Sequence, residues 1–170
     1  MMITRIPKKT DYIYVDSCAI DSIKNNEKWN KFFSSDKFTI SSSRSINEEL
    51  QRPNTPEATN QPFNTIGGMF PTRYFTDHAE QDISSNDIFS GIYKILKGNS
   101  IDDRHLMDAK HVYFTAIDDG FFITVEKRII RKRDDISSLL QELDYRLHSV
   151  RLGSAYRFIF KPCEFIELCS

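Results

Sequence analysis

Apolar residues along this chain recur at two alternating spacings, and the alternation predicts strands separated by helices. Residues 12–16 interleave aromatic and β-branched side chains, the pattern of a buried strand. Ile20, Ile23, Trp29, Phe32 and Phe33 then form an irregular helical stripe over 20–33. A second short strand is predicted at 38–41, followed by a helix that Ser45 can cap, that carries Ile46 and Leu50 four apart, and that Pro53 soon ends. Ile88, Ile92, Ile95 and Leu96 make a helical face stopped by Gly98. A further helix spans 104–118, with Ala109, Val112, Ala116 and Ile117 on one side and Gly120 as its stop. Residues 121–124 read as a third strand. Ile136, Leu139, Leu140, Leu143 and Leu147 form the strongest amphipathic pattern of the chain. A last strand at 156–160 precedes Pro162 and a short terminal segment. Such alternation favours a mostly parallel sheet covered on both faces.

One stretch breaks the rhythm. Between about 52 and 82, Pro53, Pro56, Pro62, Pro71 and the pair Gly67-Gly68 punctuate a segment with no period, yet Phe63, Ile66, Met69, Phe70, Tyr74 and Phe75 lie within it. Long loops of this kind are uncommon in compact domains and are often functional. The expectation is an excursion packed against the body, either shaping a substrate groove or merely structural.

At 170 residues the chain fits a single domain, 1–170, with a real core. With 39% apolar and 28% charged residues it reads as an ordinary globular protein. The net charge of −1 demands no nucleic acid, so such a partner has to be argued from local clusters. Cys18, Cys163 and Cys169 are odd in number and widely spaced, which argues against a disulfide framework or structural zinc. No apolar signal core opens the chain, and no stretch approaches the roughly 20 residues of a membrane span. A cytoplasmic setting is the expectation.

Within this frame four acidic residues sit at places that could share one edge. Asp16 ends the first strand, Glu49 lies in the predicted helix after the second, Asp108 opens the helix of 104–118, and Glu126 follows the third strand. In an open α/β sheet, carboxyl ends of strands and starts of following helices line the edge where ligands bind. Carboxylates gathered there repel one another unless divalent cations hold them. Each has a plainer reading: Asp16 as a helix cap, Asp108 as a first-turn acid favoured by the helix dipole, Glu48 and Glu49 as a solvated face, Glu126 as the partner of Lys127 or Arg128. Joint occurrence in this order is what favours a metal centre.

With these residues laid out, the chain resembles the PIN-domain nucleases. Met107-Asp108-Ala109-Lys110-His111 with Gly120 and Phe121-Phe122-Ile123-Thr124-Val125-Glu126 is similar to the family's acidic helix start, glycine turn and strand ending in Thr-x-Asp. Val15-Asp16-Ser17-Cys18 is similar to its opening strand, Ile46-Asn47-Glu48-Glu49-Leu50 to its acidic helix, and Phe160-Lys161-Pro162-Cys163-Glu164-Phe165 to a common ending. Two features depart from the pattern: Glu126 stands where Asp is usual, and residues 52–82 match nothing in it. Glu48 and Glu49 point about 100° apart on a helix, and Glu49, with Leu50 after it, fits the family's position.

The resemblance implies a three-layer α/β/α sandwich with a mostly parallel central sheet. It implies a metal-dependent endoribonuclease in which Asp16, Glu49, Asp108 and Glu126 hold Mg²⁺ or Mn²⁺ and leave a 5′-phosphate and a 3′-hydroxyl. Asp16 and Asp108 would ligate directly, Glu49 would ligate or position the attacking water, and Glu126 would hold a second ion or its waters. Hard cations prefer such oxygen donors, and a two-metal arrangement sets ions about 3.5–4 Å apart across the phosphate. RNA is the expected substrate, with DNA open because the metal chemistry is indifferent to the 2′-hydroxyl. A toxin of a bacterial toxin–antitoxin pair or a defence nuclease are the settings it suggests. An antitoxin or other regulatory protein would be the partner, and a homodimer is compatible with it.

Other residues have two readings each. His111 is either a structural histidine or a contact of the acidic cluster. Ser17 and Thr124 either orient carboxylates or make ordinary strand-end hydrogen bonds. Cys18 reads as a packed small residue. The run Lys127, Arg128, Arg131, Lys132 and Arg133 either grips a phosphate backbone or is a solvated patch paired with Asp134 and Asp135. The alternative function is a PIN-like module that binds RNA or a protein without cutting, favoured by Glu126. A haloacid-dehalogenase-like phosphatase is disfavoured, since Asp16-Ser17-Cys18 lacks the second Asp of an Asp-x-Asp strand end.

Overall fold

The computed structural model describes residues 6–35, 38, 40–43, 72–75, 87–101, 103–117, 119–147 and 157–170. Five strands, β1 (Ile13–Val15), β2 (Ile40–Ser43), β3 (Thr72–Phe75), β4 (Phe121–Ile123) and β5 (Ile159–Phe160), form one sheet in the order β3-β2-β1-β4-β5. Every pairing is parallel, with Ile13 opposite Ile40 on one side of β1 and Val15 opposite Ile123 on the other. Parallel neighbours need crossovers. These are supplied by α1 (Ser17–Lys24) and α2 (Glu27–Phe33) after β1, α3 (Asp87–Lys97) and α4 (Leu106–Ile117) before β4, and α5 (Lys127–Leu147) before β5; α6 (Pro162–Leu168) closes the chain. The expected α/β class with a parallel sheet is what the chain adopts.

Burial follows from this topology. All three residues of β1 and of β4 are buried, as strands enclosed on both faces must be. Phe121 meets Phe165 of α6 at 5.8 Å between ring centres, and Phe165 in turn stacks on Phe33 of α2 at 6.0 Å. Phe122, the next residue of β4, is directed to the opposite face by the pleat and is fully buried there. Burying one such ring contributes about 1.5–3 kcal/mol.

Three sequence expectations change. The stripe over 20–33 is two helices, because Asn25 caps the end of α1 and the side chain of Asn26 accepts from the amide of Trp29 to start α2. The segment read as an irregular excursion contributes β3, an edge strand beside β2 whose aperiodic, Pro-flanked sequence hides it. The remainder of 52–82, like the helix expected around Ile46 to Leu50, lies outside the described residues.

The third change concerns Gly120. The left-handed residue at the end of α4 is Asp119, with φ of 54°, a conformation that Asp tolerates better than most residues. The amides of Asp119 and Gly120 donate to the carbonyls of Ala116 and Thr115, a Schellman closure. Gly120 is instead required by proximity: a Cβ there would lie 2.6 Å from the backbone oxygen of Tyr12, which itself accepts from the amide of Phe121 at 2.7 Å. Gly98, by contrast, is the expected left-handed stop of α3, with φ of 54°.

Gly120→Ala is therefore expected to destabilise the protein by about 1–3 kcal/mol, read as a lower urea midpoint with an unchanged slope. An unaltered midpoint would contradict the close approach of β1 and β4.

Candidate functional site

In the strand order the chain first moves outward from β1 through β2 to β3, then returns to the other side of β1 with β4 and β5. The order reverses between β1 and β4. Crevices outside the carboxyl ends of strands at such a reversal are where open α/β sheets bind ligands. Asp16 and Thr124 are the first residues beyond these two strands, and they sit side by side. The Asp16 amide donates to the Ile123 carbonyl at 2.9 Å, extending the ladder past both strands.

Asp16 is buried, with 4% of its surface exposed. It caps α1, its carbonyl accepting from the amides of Ala19 and Ile20, so the plainer reading of this residue is part of its role. Its side chain is engaged well beyond a cap. Oδ1 accepts from the Ser17 amide at 2.9 Å, while Oδ2 accepts from the Thr124 hydroxyl at 2.8 Å and the Cys18 thiol at 3.1 Å. Thr124 is oriented in turn, because its Oγ1 accepts from the Glu126 amide at 3.0 Å. That bond leaves the hydroxyl proton directed at Asp16. The result is a relay from the Glu126 backbone through Thr124 to the carboxylate, running from β4 to β1.

This geometry decides between several readings. Thr124 orients the carboxylate through its hydroxyl, whereas Ser17 does so through its backbone amide. Cys18 is not simply packed: it is a third donor to Asp16. Burial and the neighbouring Asp16 charge push its thiol up to about 12, so it is protonated and a poor nucleophile at neutral pH. The short Asp-Ser-Cys turn carried this signal, since a residue two positions after a cap can fold back on it.

Asp108 lies in the first turn of α4, its Oδ2 3.8 Å from Nδ1 of His105 and its side chain about a quarter exposed (26%). One turn further along, His111 is buried, with 2% exposure, and among the described residues neither ring nitrogen has a hydrogen-bond partner. Burial pulls its pKa down to about 4; the Asp16 charge opposes that shift and Lys110 adds to it. His111 is therefore a neutral ring in electrostatic reach of Asp16. Glu126 is exposed: its carbonyl accepts the first helical bond of α5 from Ile130, and Oε1 accepts from the Arg128 amide at 3.4 Å. It acts as a helix cap here. Glu49 and Glu48 lie outside the described residues.

The donor chemistry around Asp16 fits a hard cation, being carboxylate oxygen with one of its roughly four acceptor positions still open after three bonds. Among the described residues, however, no group of three His, Cys, Asp or Glu side chains comes together in a metal-binding arrangement. Of the expected centre, Asp16 has His111 of α4 within electrostatic reach, while Glu126 is exposed and occupied as a helix cap. The basic run is divided as well. Arg133 makes a bidentate pair with Glu164 at 2.8 and 3.0 Å, and Asp134, expected to partner that run, instead accepts from Arg157 at 2.9 Å.

The buried neutral ring has a thermodynamic signature. Between pH 6.5 and about 4 the unfolded chain takes up a proton on His111 that the folded chain does not. Stability from this group is therefore fully present above pH 6.5 and is lost as pH falls to 4, by roughly 3 kcal/mol. His111→Leu should flatten this part of the stability–pH curve relative to native protein. Identical slopes in the two proteins would contradict a neutral buried imidazole.

Comparison with protein-family models, with curated proteins and with solved structures finds no match to this chain.

Proposed function

We propose that this protein is a Mg²⁺- or Mn²⁺-dependent endoribonuclease of the PIN type, centred on Asp16. The observation that carries the proposal is the placement of a buried carboxylate, aimed by Thr124, at the point where the strand order reverses. Asp16 and Asp108 would hold the metal, and Glu49 would complete the set or position water. A bound divalent cation would supply an activated water and offset charge on the phosphate oxygens. Thr124 and the Ser17 amide keep the Asp16 oxygens fixed, which spares reorganisation when substrate arrives. The neutral His111 adds no competing positive charge beside the carboxylate.

The same proposal takes the fold to be a three-layer α/β/α sandwich. Its support is the division of the helices. α2 packs with α1 and α6, on the face of Phe121, while α3 packs with α4 and with α5. Gly91 of α3 allows that last approach, its missing Cβ lying where Leu139 of α5 comes to 2.5 Å. A toxin or defence role, with a regulatory protein covering the acidic edge, is the setting this activity would suit.

A second reading is a PIN-like module that binds RNA or a protein without cutting it. It is favoured by Glu126, which is exposed and occupied as a helix cap rather than turned toward Asp16.

Cleavage of end-labelled single-stranded RNA in Mn²⁺ separates the two. Native protein should cut, and Asp16→Asn and Asp108→Asn should each reduce the rate by about 100-fold or more, equivalent to about 2.7 kcal/mol of lost transition-state stabilisation. RNA binding with no cleavage in any of the three would establish the module and exclude the nuclease.

A further inference from the structure

The first two turns of α5 hold five cations, and four of them contribute little to the folded chain itself. Lys127, Arg128, Arg131 and Lys132 have no ion-pair partner among the described residues, whereas Arg133 is committed to Glu164 and Arg157 to Asp134. Positive charge at a helix N-terminus opposes the helix dipole, and in the first turn of α5 Lys127 and Arg128 stand with no acidic residue besides the capping Glu126. Lys127 with Arg131, and Arg128 with Lys132, are also like-charge pairs four residues apart, which repel on a helix surface. Glu126 at the cap and Asp134 and Asp135 one turn on offset this charge only in part, and a cluster that breaks local rules in this way is the mark of a site used for something else.

The helix geometry sets these cations on one side. Ile129, Ile136 and Leu140 are buried and fix the core-facing stripe, and Arg133 lies near its margin. Lys127 and Arg131 are exposed on the side away from that stripe, with Arg128 and Lys132 flanking them. The exposed Asp134 and Asp135 bound the strip one turn further on. At about 1.5 Å per residue the four cations cover roughly 8 Å of helix. The strip begins three residues after Thr124, the residue that holds Asp16, so it borders the same edge of the sheet.

We infer that Lys127, Arg128, Arg131 and Lys132 form the track that grips the phosphate backbone of single-stranded RNA beside Asp16, while Arg133 is a structural residue excluded from it. The inference deepens the nuclease proposal and relies on it for the choice of RNA. Repeated phosphates are the ligand that a strip of long cationic side chains suits, since each contact releases counterions from the strand. The chain as a whole carries a net charge of −1, so the attraction is local rather than global.

The test is anisotropy of a fluorescent, unstructured RNA 20-mer in EDTA across a salt series, with the full chain, the Lys127→Gln/Arg131→Gln variant, and Lys31→Gln of α2 as a control. Native protein should bind. The double variant should bind at least tenfold more weakly, and its dependence of log K on log salt should be shallower by about 1.4, the value for two lost contacts to a single strand. Lys31→Gln should stay within twofold of native, and the double variant should melt no lower than native. No RNA binding by native protein, or a double variant with native affinity and slope, overturns the track. Tighter binding of the matching DNA strand than of RNA overturns the assignment to RNA. Because EDTA removes cleavage from the measurement, a positive result alongside an inert cleavage assay would sink the nuclease and leave the track standing. Asp16-dependent cleavage with an unaffected double variant would do the reverse.

Discussion

The hydroxyl of Thr124 donates across the reversal point of the sheet to a buried carboxylate, and the arrangement of the candidate site depends on that bond. An isolated buried carboxylate is unfavourable, and hydrogen bonds that satisfy its oxygens are what make it tolerable. Asp16 receives them from three donors on two elements: the Ser17 amide and Cys18 thiol at the start of α1, and Thr124 at the end of β4. The bond exists only because β1 and β4 are in register, Val15 opposite Ile123, so that the next residue of each is a neighbour. Gly120 secures that register from the other end, since only a residue without a side chain allows the chain to pass the Tyr12 carbonyl.

Much of this was legible in the chain, for reasons that can be named. Strand and helix alternation survived because the central strands are buried along their whole length, so β1, β4 and β5 are uniformly apolar while α3 and α5 show stripes. Asp16 could be placed because it stands at the junction of an apolar run and a helix start, and Asp108 because it falls in the first turn of a helix. What stayed hidden is equally specific. β3 is short and follows Pro71 within a segment that has no period, so nothing marks it as a strand. The split between α1 and α2 turned on Asn25-Asn26, a capping signal within an otherwise helical stripe. The role of Cys18 required knowing that the turn after Asp16 folds its thiol back, and the neutrality of His111 required its burial. The Asp-x-Cys spacing permits the first, and no spacing along the chain encodes the second.

Electrostatics divides the charged residues into two kinds. Arg133 with Glu164, and Arg157 with Asp134, are paired across the structure and tie α5 to α6 and to the lead-in of β5. Lys127, Arg128, Arg131 and Lys132 have no such partner among the described residues, although they directly precede Arg133 in sequence. Composition alone cannot separate these groups, because a run of five basic residues looks uniform until helix periodicity and partners assign each to a side. The basic group and the buried carboxylate flank the same edge, and in the proposed reading the first would hold phosphates and the second the cation that acts on them.

Whether Asp16 is a ligand or only an unusually well-held helix cap is settled most directly by diffraction at the manganese edge from crystals soaked in Mn²⁺. An anomalous peak beside the Asp16 carboxylate, lying toward the Asp108 end of α4, is the predicted result. An ordered Asp16 still bonded to Thr124, Ser17 and Cys18, with no peak near it at millimolar Mn²⁺, would contradict a metal site at the centre of this protein.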